Sequence, residues 1–176
     1  FYCINQFSEA LFSSGDDTDS RVDKSPHIAE SGDLKLVLGH RRLSIIDLSP
    51  AGHQPFHIGS KILCFNGEIY NYLELRAELE LLGVAFDTDT DTEVFLNAFI
   101  IWGEGAFKKF NGMWGAAIYD IDSKELLLVR DQFGIKPLYY LVDERGVFFG
   151  SEIKYFKSLG VLGSCNESAI YQYLRY

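Results

Sequence analysis

The feature that most constrains this chain is a stretch near its middle, where an apolar run passes into a polar triplet. The run is Ile62–Phe65, and the triplet Asn66-Gly67-Glu68 follows it directly. Gly67 permits an unusual backbone angle or the close approach of a ligand. The side-chain amide of Asn66, beside a backbone N–H, is suited to stabilising a negative oxygen. The triplet is therefore the first candidate for a functional site.

Composition limits the classes of protein to be considered. The 176 residues suit one domain with a sizeable core, and 47% are hydrophobic, which is typical of a globular chain. The formal net charge of −9 argues against nucleic acid or an anionic membrane as the main partner and favours solubility. No stretch approaches the ~20 apolar residues of a membrane span.

The cysteines and the first residue bear on the cellular setting. Cys3, Cys64 and Cys165 are too few and too scattered for a disulfide framework, and no CxxC pair occurs. We expect a reduced, cytoplasmic protein, and no signal peptide is visible. Because the sequence begins with Phe1, we expect a fragment, a processed chain or a chain with altered ends.

The first third of the chain predicts strands separated by an irregular loop. Residues 1–7 and 34–38 have the apolar character of strands, and residues 8–33 read as an irregular, acidic loop. No metal site is expected at His53 and His57, because a proline between them prevents the helix that would align them.

Two adjacent arginines, Arg41 and Arg42, interrupt an extended segment that is otherwise largely apolar. At least one of them should face the core. A buried guanidinium needs a carboxylate partner, which is either a protein group or a ligand.

Two helices are predicted after the triplet. Asn71 and Glu74 resemble a capping box that opens a helix ending at Gly83, and a short strand over 84–86 follows. A second capping box at Thr90-Asp91-Thr92-Glu93 opens a helix that Gly103 closes. Asp91 in its first turn either favours the helix dipole or faces a ligand cation.

The remaining pattern is strand-rich. Hairpins are predicted over 113–130 and 138–149, with a short helix capped by Ser151 and a last helix capped by Asn166. The totals are four helices and seven or eight strands, which indicates two stacked sheets with helices outside.

Many segments in register resemble the glutamine amidotransferase domain of glutamine-dependent asparagine synthetases. The resemblance covers residues 34–159, and the run Arg42-Leu43-Ser44-Ile45-Ile46-Asp47 indicates the asparagine synthetase branch. The other matching segments are 39–49, His53-Gln54-Pro55, Phe65–Tyr72, Thr90–Val94, Trp102-Gly103, Gly112-Met113, Arg130-Asp131, Gly134–Tyr140 and Ser151–Lys154.

The resemblance implies a fold and a reaction. The fold is the α+β, four-layer αββα sandwich of the N-terminal-nucleophile hydrolases, with two mainly antiparallel sheets between helices. The reaction is hydrolysis of L-glutamine to glutamate and ammonia by a cysteine whose own α-amino group is the base.

The resemblance also implies roles for individual residues. Asn66 and the Gly67 N–H would hold the oxyanion, and Glu68 and Asp91 would bind the substrate α-ammonium. The α-carboxylate would be bound by Arg42, with help from the backbone near Leu43 and Ile45. No metal ligand is implied.

The beginning of the chain departs from the family pattern, in which the nucleophilic cysteine is exposed at the N-terminus. Here two residues precede Cys3, and in the ungapped register Tyr2 takes the nucleophile position. Two hypotheses follow: a working glutaminase whose N-terminus is altered, or a non-catalytic domain that keeps the fold as a scaffold or docking module.

The domain organisation and partners complete the expectations. We assign residues 1–160 to the amidotransferase domain and residues 161–176 to the start of a linker and helix toward a synthetase domain. The chain has no Ser-Gly-Gly, so ATP and Mg are expected with that synthetase domain and no cofactor is expected here. L-glutamine and the synthetase domain, which would use the ammonia in asparagine biosynthesis, are the expected partners, and a homodimer is a candidate assembly.

Overall fold

A computed structural model describes residues 2–5, 10–12, 34–40, 53–164 and 166–175, with side chains from residue 35 onward within those ranges. It contains nine strands and four α-helices in the described residues: β1 (Tyr2–Asn5), β2 (Ala10–Phe12), β3 (Leu34–Leu38), β4 (Phe56–Ile58), β5 (Lys61–Ile69), α1 (Tyr72–Leu81), α2 (Asp91–Trp102), β6 (Gly112–Asp120), β7 (Glu125–Arg130), β8 (Tyr139–Asp143), β9 (Gly146–Gly150), α3 (Ile153–Ser158) and α4 (Glu167–Arg175). A 3-10 helix, Gly103–Lys108, continues directly from α2.

The chain divides into two compact units, Phe1–Lys136 and Pro137–Tyr176. The first unit contains a three-stranded sheet in the order β2-β1-β3 and a four-stranded sheet in the order β4-β5-β6-β7. The second contains the β8-β9 hairpin and helices α3 and α4. Every strand pairing in the described ranges is antiparallel, which agrees with the predicted α+β class.

The centre of the four-stranded sheet is the β5–β6 pair, in which Lys61 lies opposite Asp120 at one end and Ile69 lies opposite Gly112 at the other. Successive side chains of a strand point to opposite faces. On one face of β5, Leu63, Phe65 and Ile69 are buried in the main hydrophobic core, to which α1 and α2 also contribute.

The core is built around one aromatic ring of α2. The Phe95 side chain is fully buried, and its ring centroid lies 5.1 Å from that of Phe65, 4.8 Å from that of Phe110 and 5.4 Å from that of Trp114. Truncating such a ring typically costs about 3–5 kcal/mol. These contacts hold α2 against the strand that carries the polar triplet.

Several predicted boundaries are confirmed. Helices α1 and α2 end beside Gly83 and Gly103, whose φ angles are 90° and 57°, as expected of glycine at a helix end. Thr90 caps α2 by accepting a hydrogen bond from the Glu93 N–H, and Asn166 accepts the Ala169 N–H in α4.

Other local predictions are wrong. Asn71 does not cap α1: its side chain binds the Lys109 carbonyl and the Asn111 N–H, because tertiary contact offers these backbone groups nearby. Ser151 does not cap α3, which begins after Glu152 without a side-chain cap. Residues 84–86 form no strand.

The segment 8–33, predicted as irregular, contains the short strand β2. Its three apolar residues, Ala10-Leu11-Phe12, pair with β1 in an antiparallel register, so pairing with the preceding strand supplies the order that the surrounding composition does not indicate. Residues 13–33 and 41–52 lie outside the described residues. The predicted domain boundary at residue 160 stays a prediction.

None of the helices in the described ranges has the length and apolar character needed to cross a bilayer. In the same ranges, no group of three or more histidine, cysteine, aspartate or glutamate side chains is arranged to hold a metal ion.

Candidate functional site

The structure describes the predicted site residues unequally. Tyr2 and Cys3 lie in β1, where they pair with Leu38 and Val37 of β3, and their backbone alone is described. The predicted carboxylate-binding residues, Arg42, Leu43 and Ile45, lie outside the described residues. Asn66, Gly67, Glu68 and Asp91 are described with their side chains.

Asn66 and Glu68 lie on the face of β5 opposite to the core. Leu63, Phe65 and Ile69 fill the other face, so the alternation of the strand presents the two polar side chains together, and both are partly exposed. The helix-packed face of the sheet thereby supports a polar site on its other face.

The absence of a side chain at Gly67 has a structural reason that the sequence did not indicate. The φ angle of Gly67 is not positive. A β-carbon at this position would lie 2.2 Å from the Met113 carbonyl oxygen and 2.6 Å from the Trp114 Cα. The absent side chain accommodates the backbone of β6, and the unusual backbone angle predicted for Gly67 is not found. The alternative prediction, the close approach of a ligand, stays a prediction.

Among the described residues, a strand covers only part of the edge of β5 that faces away from β6. β4 pairs with β5 from Lys61 to Leu63 and then ends. At Phe65 the buried side chain of Gln54 takes the place of a strand. Its Oε1 accepts the Phe65 N–H at 2.6 Å, and its Nε2 donates to the Phe65 carbonyl at 3.0 Å.

Farther along the same edge, the Asp91 carboxylate accepts the Ile69 N–H at 3.0 Å. Alternate residues of an antiparallel strand direct their N–H and C=O groups to the same edge. Gly67, midway between Phe65 and Ile69, therefore directs its N–H to this edge. No side chain in the described part of the chain accepts a hydrogen bond from that N–H.

The electrostatics of the edge are those of an anionic site. Asp91 is 6% exposed, and burial raises the pKa of its carboxyl, with the neighbouring Glu68 charge raising it further. The N–H groups of Ile69, Thr92 and Asp91 itself act in the opposite direction. Among the described residues, no lysine or arginine forms an ion pair with Glu68 or Asp91.

The loop before α2 fixes the position of Asp91. The buried Glu93 carboxylate accepts the Asp87 N–H at 2.9 Å and the Thr88 N–H at 2.7 Å. Arg76 of α1 donates to the Thr88 carbonyl at 2.7 Å and lies 4.5 Å above the Phe86 ring. Asp91 is thus presented by a loop that two other charged side chains hold in place.

Two positioning groups were not singled out from the sequence. Gln54 is one. The other is buried Asp131, which accepts four backbone N–H groups: those of Trp114, Phe133, Ile135 and Lys136. Both residues lay within matched segments, but their partners are eleven or more residues away or in an irregular loop, so no local pattern marked their roles.

Cys64 shares the polar face of β5 with Asn66, but it is a poor nucleophile. Desolvation of the thiol raises its pKa to about 12, so the side chain is protonated at neutral pH.

The described residues therefore combine two kinds of group. A side-chain amide and a backbone N–H at an open strand edge are suited to binding an oxyanion. Two neighbouring carboxylates without a basic partner are suited to binding an ammonium group. A molecule that carries both a polarised carbonyl and an ammonium would match the set.

Comparisons with known proteins agree with this chemistry. The family model described as "Glutamine amidotransferase domain" matches residues 5–176. Asparagine synthetase [glutamine-hydrolyzing] 1 of Bacillus subtilis is 40% identical over 153 residues, which are 86% of this chain and 23% of that protein. A putative asparagine synthetase [glutamine-hydrolyzing] 2 of Methanocaldococcus jannaschii is 36% identical, over 86% of this chain and 31% of that protein.

A solved structure confirms the predicted N-terminal-nucleophile hydrolase-like fold. Glutamine phosphoribosylpyrophosphate amidotransferase of Bacillus subtilis, complexed with ADP and GMP, superposes with a TM-score of 0.60 at 23% identity. The match covers 77% of this chain and 33% of that one. This chain thus spans about a quarter to a third of the length of the proteins it matches here.

Proposed function

Because the chain belongs to the glutamine amidotransferase domain family, we propose that it hydrolyses L-glutamine to glutamate and ammonia. The observation that carries this proposal is the β5 edge, where the Gly67 N–H is directed outward between Phe65 and Ile69 and the carboxylates of Glu68 and Asp91 lie nearby. This arrangement offers complementary groups to both the side-chain amide and the α-ammonium of glutamine.

In the proposed reaction, a thiolate attacks the side-chain carbonyl carbon of glutamine. The carbonyl oxygen becomes negative in the tetrahedral intermediate, and the Asn66 amide and Gly67 N–H donate to it there. The C–N bond then breaks, ammonia leaves with the proton taken from the thiol, and water hydrolyses the resulting thioester to glutamate. Glu68 and Asp91 hold the α-ammonium so that the amide lies at the oxyanion site.

Cys3 is the proposed nucleophile, with Tyr2 as its competitor in the ungapped register. A phenol with an ordinary pKa of ~10 is a poor nucleophile toward an amide at neutral pH, which favours Cys3. Arg42 is the proposed ligand of the α-carboxylate, assisted by the backbone near Leu43 and Ile45. These assignments rest on the family resemblance.

The proposed destination of the ammonia is an ATP-dependent, asparagine synthetase-type domain. The similarity of this chain to one portion of two longer asparagine synthetases supports that assignment. ATP and Mg would bind to the synthetase domain, toward which residues 161–176 would lead from an amidotransferase domain spanning residues 1–160. A cytoplasmic location and a homodimer stay predictions.

A glutaminase assay tests the proposal directly. Glutamate release is measured for the chain, for a form that begins at Cys3, and for each with Cys3→Ala. We expect turnover that requires Cys3, at least in the form whose cysteine has a free α-amine. Turnover that survives Cys3→Ala would assign the nucleophile elsewhere.

The same assay separates the non-catalytic alternative. If neither form releases glutamate while calorimetry still detects glutamine binding, the domain is a glutamine-binding scaffold. Binding that Arg42→Ala leaves unchanged would refute the proposed carboxylate contact.

A further inference from the structure

We propose that Gln54 is a positioning residue for the oxyanion site, acting through the backbone of Phe65. This inference rests on the proposed glutaminase function. Gln54 lies before β4, on the chain that leads into the partner strand of β5, and it is 5% exposed. Its role is to fix the β5 edge next to Asn66 while leaving the Gly67 N–H without an acceptor among the described side chains.

The contact has the form of a strand pairing made by a side chain. The Gln54 amide both accepts from the Phe65 N–H and donates to the Phe65 carbonyl. These are the two bonds that the backbone of position 54 would make if β4 continued in register by two residues. Both bonds are buried, so losing them leaves two unpaired backbone groups at that point.

Because a side chain and not a strand makes these bonds, the pairing along this edge of β5 extends to Phe65 and no farther. A longer β4 would continue to Gly67 and use its outward N–H as a ladder donor. Gln54 instead ends the pairing at Phe65, and Asp91 resumes it at Ile69. Among the described residues, the Gly67 N–H thus lies in a gap of three residues, 66–68, with β5 held on one side by Gln54 and on the other by Asp91.

The contacts of Gln54 with Phe65 and of Asp91 with Ile69 also lie on either side of Asn66. Gln54 holds the carbonyl of the peptide bond that joins Phe65 to Asn66, and the Asn66 side-chain amide extends from the residue after that carbonyl. An oxyanion donor contributes most when its position is set before charge develops. Loosening Phe65 should therefore reduce transition-state stabilisation more than it reduces glutamine binding.

The test is Gln54→Met, which keeps the length of the side chain and removes both polar groups. The control is Ile118→Ala, a core truncation on β6 that leaves the β5 edge contacts in place. Turnover is expressed per active site, titrated with a chloroketone analogue of glutamine, and melting temperatures are recorded for both variants. Gln54→Glu, which keeps an acceptor for the Phe65 N–H and repels its carbonyl, serves if Gln54→Met does not fold.

We expect kcat to fall about tenfold or more in the Gln54 variant, with KM for glutamine changed by less than about threefold. The control should keep kcat per active site despite a comparable loss of melting temperature. Equal kcat in the Gln54 variant and the parent, or an equal fall in the control, overturns the inference.

If neither the chain nor the form that begins at Cys3 turns over glutamine, the proposed function is overturned, and the positioning role is then decided by amide hydrogen exchange. Loss of protection at the Ile69 amide in the Gln54 variant, with protection retained in the control, supports the inference that Gln54 fixes the β5 edge as far as Ile69. Unchanged Ile69 protection in the Gln54 variant overturns it.

Discussion

Asp91 and Asp131 have the same fractional exposure, 6% each, yet the protein shifts their pKa values in opposite directions. Burial by itself raises the pKa of both carboxyls. At Asp131 the N–H groups of Ile135, Lys136, Trp114 and Phe133 outweigh burial, and the pKa is lowered. At Asp91 burial dominates, Glu68 adds to it, and the pKa is raised.

The difference in pKa direction fits a structural use of Asp131 and the proposed binding role of Asp91. Asp131 has its charge satisfied by the loop that follows β7, so it stabilises the fold. The described protein groups compensate the charge of Asp91 incompletely, as its raised pKa indicates. Such a carboxylate is suited to binding a cationic ligand. Two carboxylates of equal exposure thus differ: Asp131 is a structural acid, and Asp91 is the proposed ligand of the substrate ammonium.

The largest expected effect is on the structural side. Asp131→Asn replaces a carboxylate by a neutral amide whose NH₂ faces backbone donors, so the free energy of unfolding should fall by about 2–3 kcal/mol. Urea denaturation at pH 7 measures this loss. A change within about 0.5 kcal/mol would show that the four N–H contacts contribute little and would remove the basis of the comparison.

On the binding side, Asp91→Asn should weaken glutamine affinity by about 10- to 100-fold, the value of one hydrogen bond to a charged group. Calorimetry measures the affinity. The control is Asp89→Asn, the same substitution two residues away on a side chain that is 93% exposed. If both variants lose affinity equally, long-range charge and not direct contact at Asp91 is responsible.

Stability should respond to Asp91→Asn in the direction opposite to Asp131→Asn. Since the folded pKa of Asp91 is raised, its stabilising contribution is present below the unfolded pKa and is lost as the pH rises through the folded pKa. The neutral variant should be more stable than the parent at pH 7, with a melting temperature about 2–4 °C higher. This advantage should shrink toward pH 4.

For Asp131, whose folded pKa is lowered, the sign is reversed. Its contribution is present above the unfolded pKa and is lost as the pH falls through the folded pKa. Melting curves of both variants and the parent at pH 4 and pH 7 therefore test the pair together. Equal signs at pH 7 would contradict the distinction between the two acids.

The smallest expected effect is on the pKa of Asp91 itself. Glu68→Gln removes the neighbouring charge that raises it, so the pKa of Asp91 should fall but remain above its ordinary value, because burial is the larger cause. Carboxyl-carbon NMR titration measures the change. An unchanged pKa would mean that the two carboxylates do not interact as the structure indicates.

The sequence predicted elements well where the cause is local. The Thr90 cap and the glycines that end α1 and α2 need only neighbouring residues, and the structure confirms them. Asn71 fitted the same local pattern but is used elsewhere, because Lys109 and Asn111 compete for its side chain.

For the candidate site, the sequence by itself determined which residues to examine: Asn66, Gly67, Glu68 and Asp91 are marked by polar types in an apolar frame and by the family resemblance. The tertiary structure decided how each is placed. The absence of a side chain at Gly67 accommodates the neighbouring strand, and the outward Gly67 N–H lies between the contacts at Phe65 and Ile69. The pKa of Asp91 is raised, whereas that of Asp131 is lowered. Such distinctions depend on strand register and on hydrogen bonds between residues distant in the chain, and a sequence pattern specifies neither.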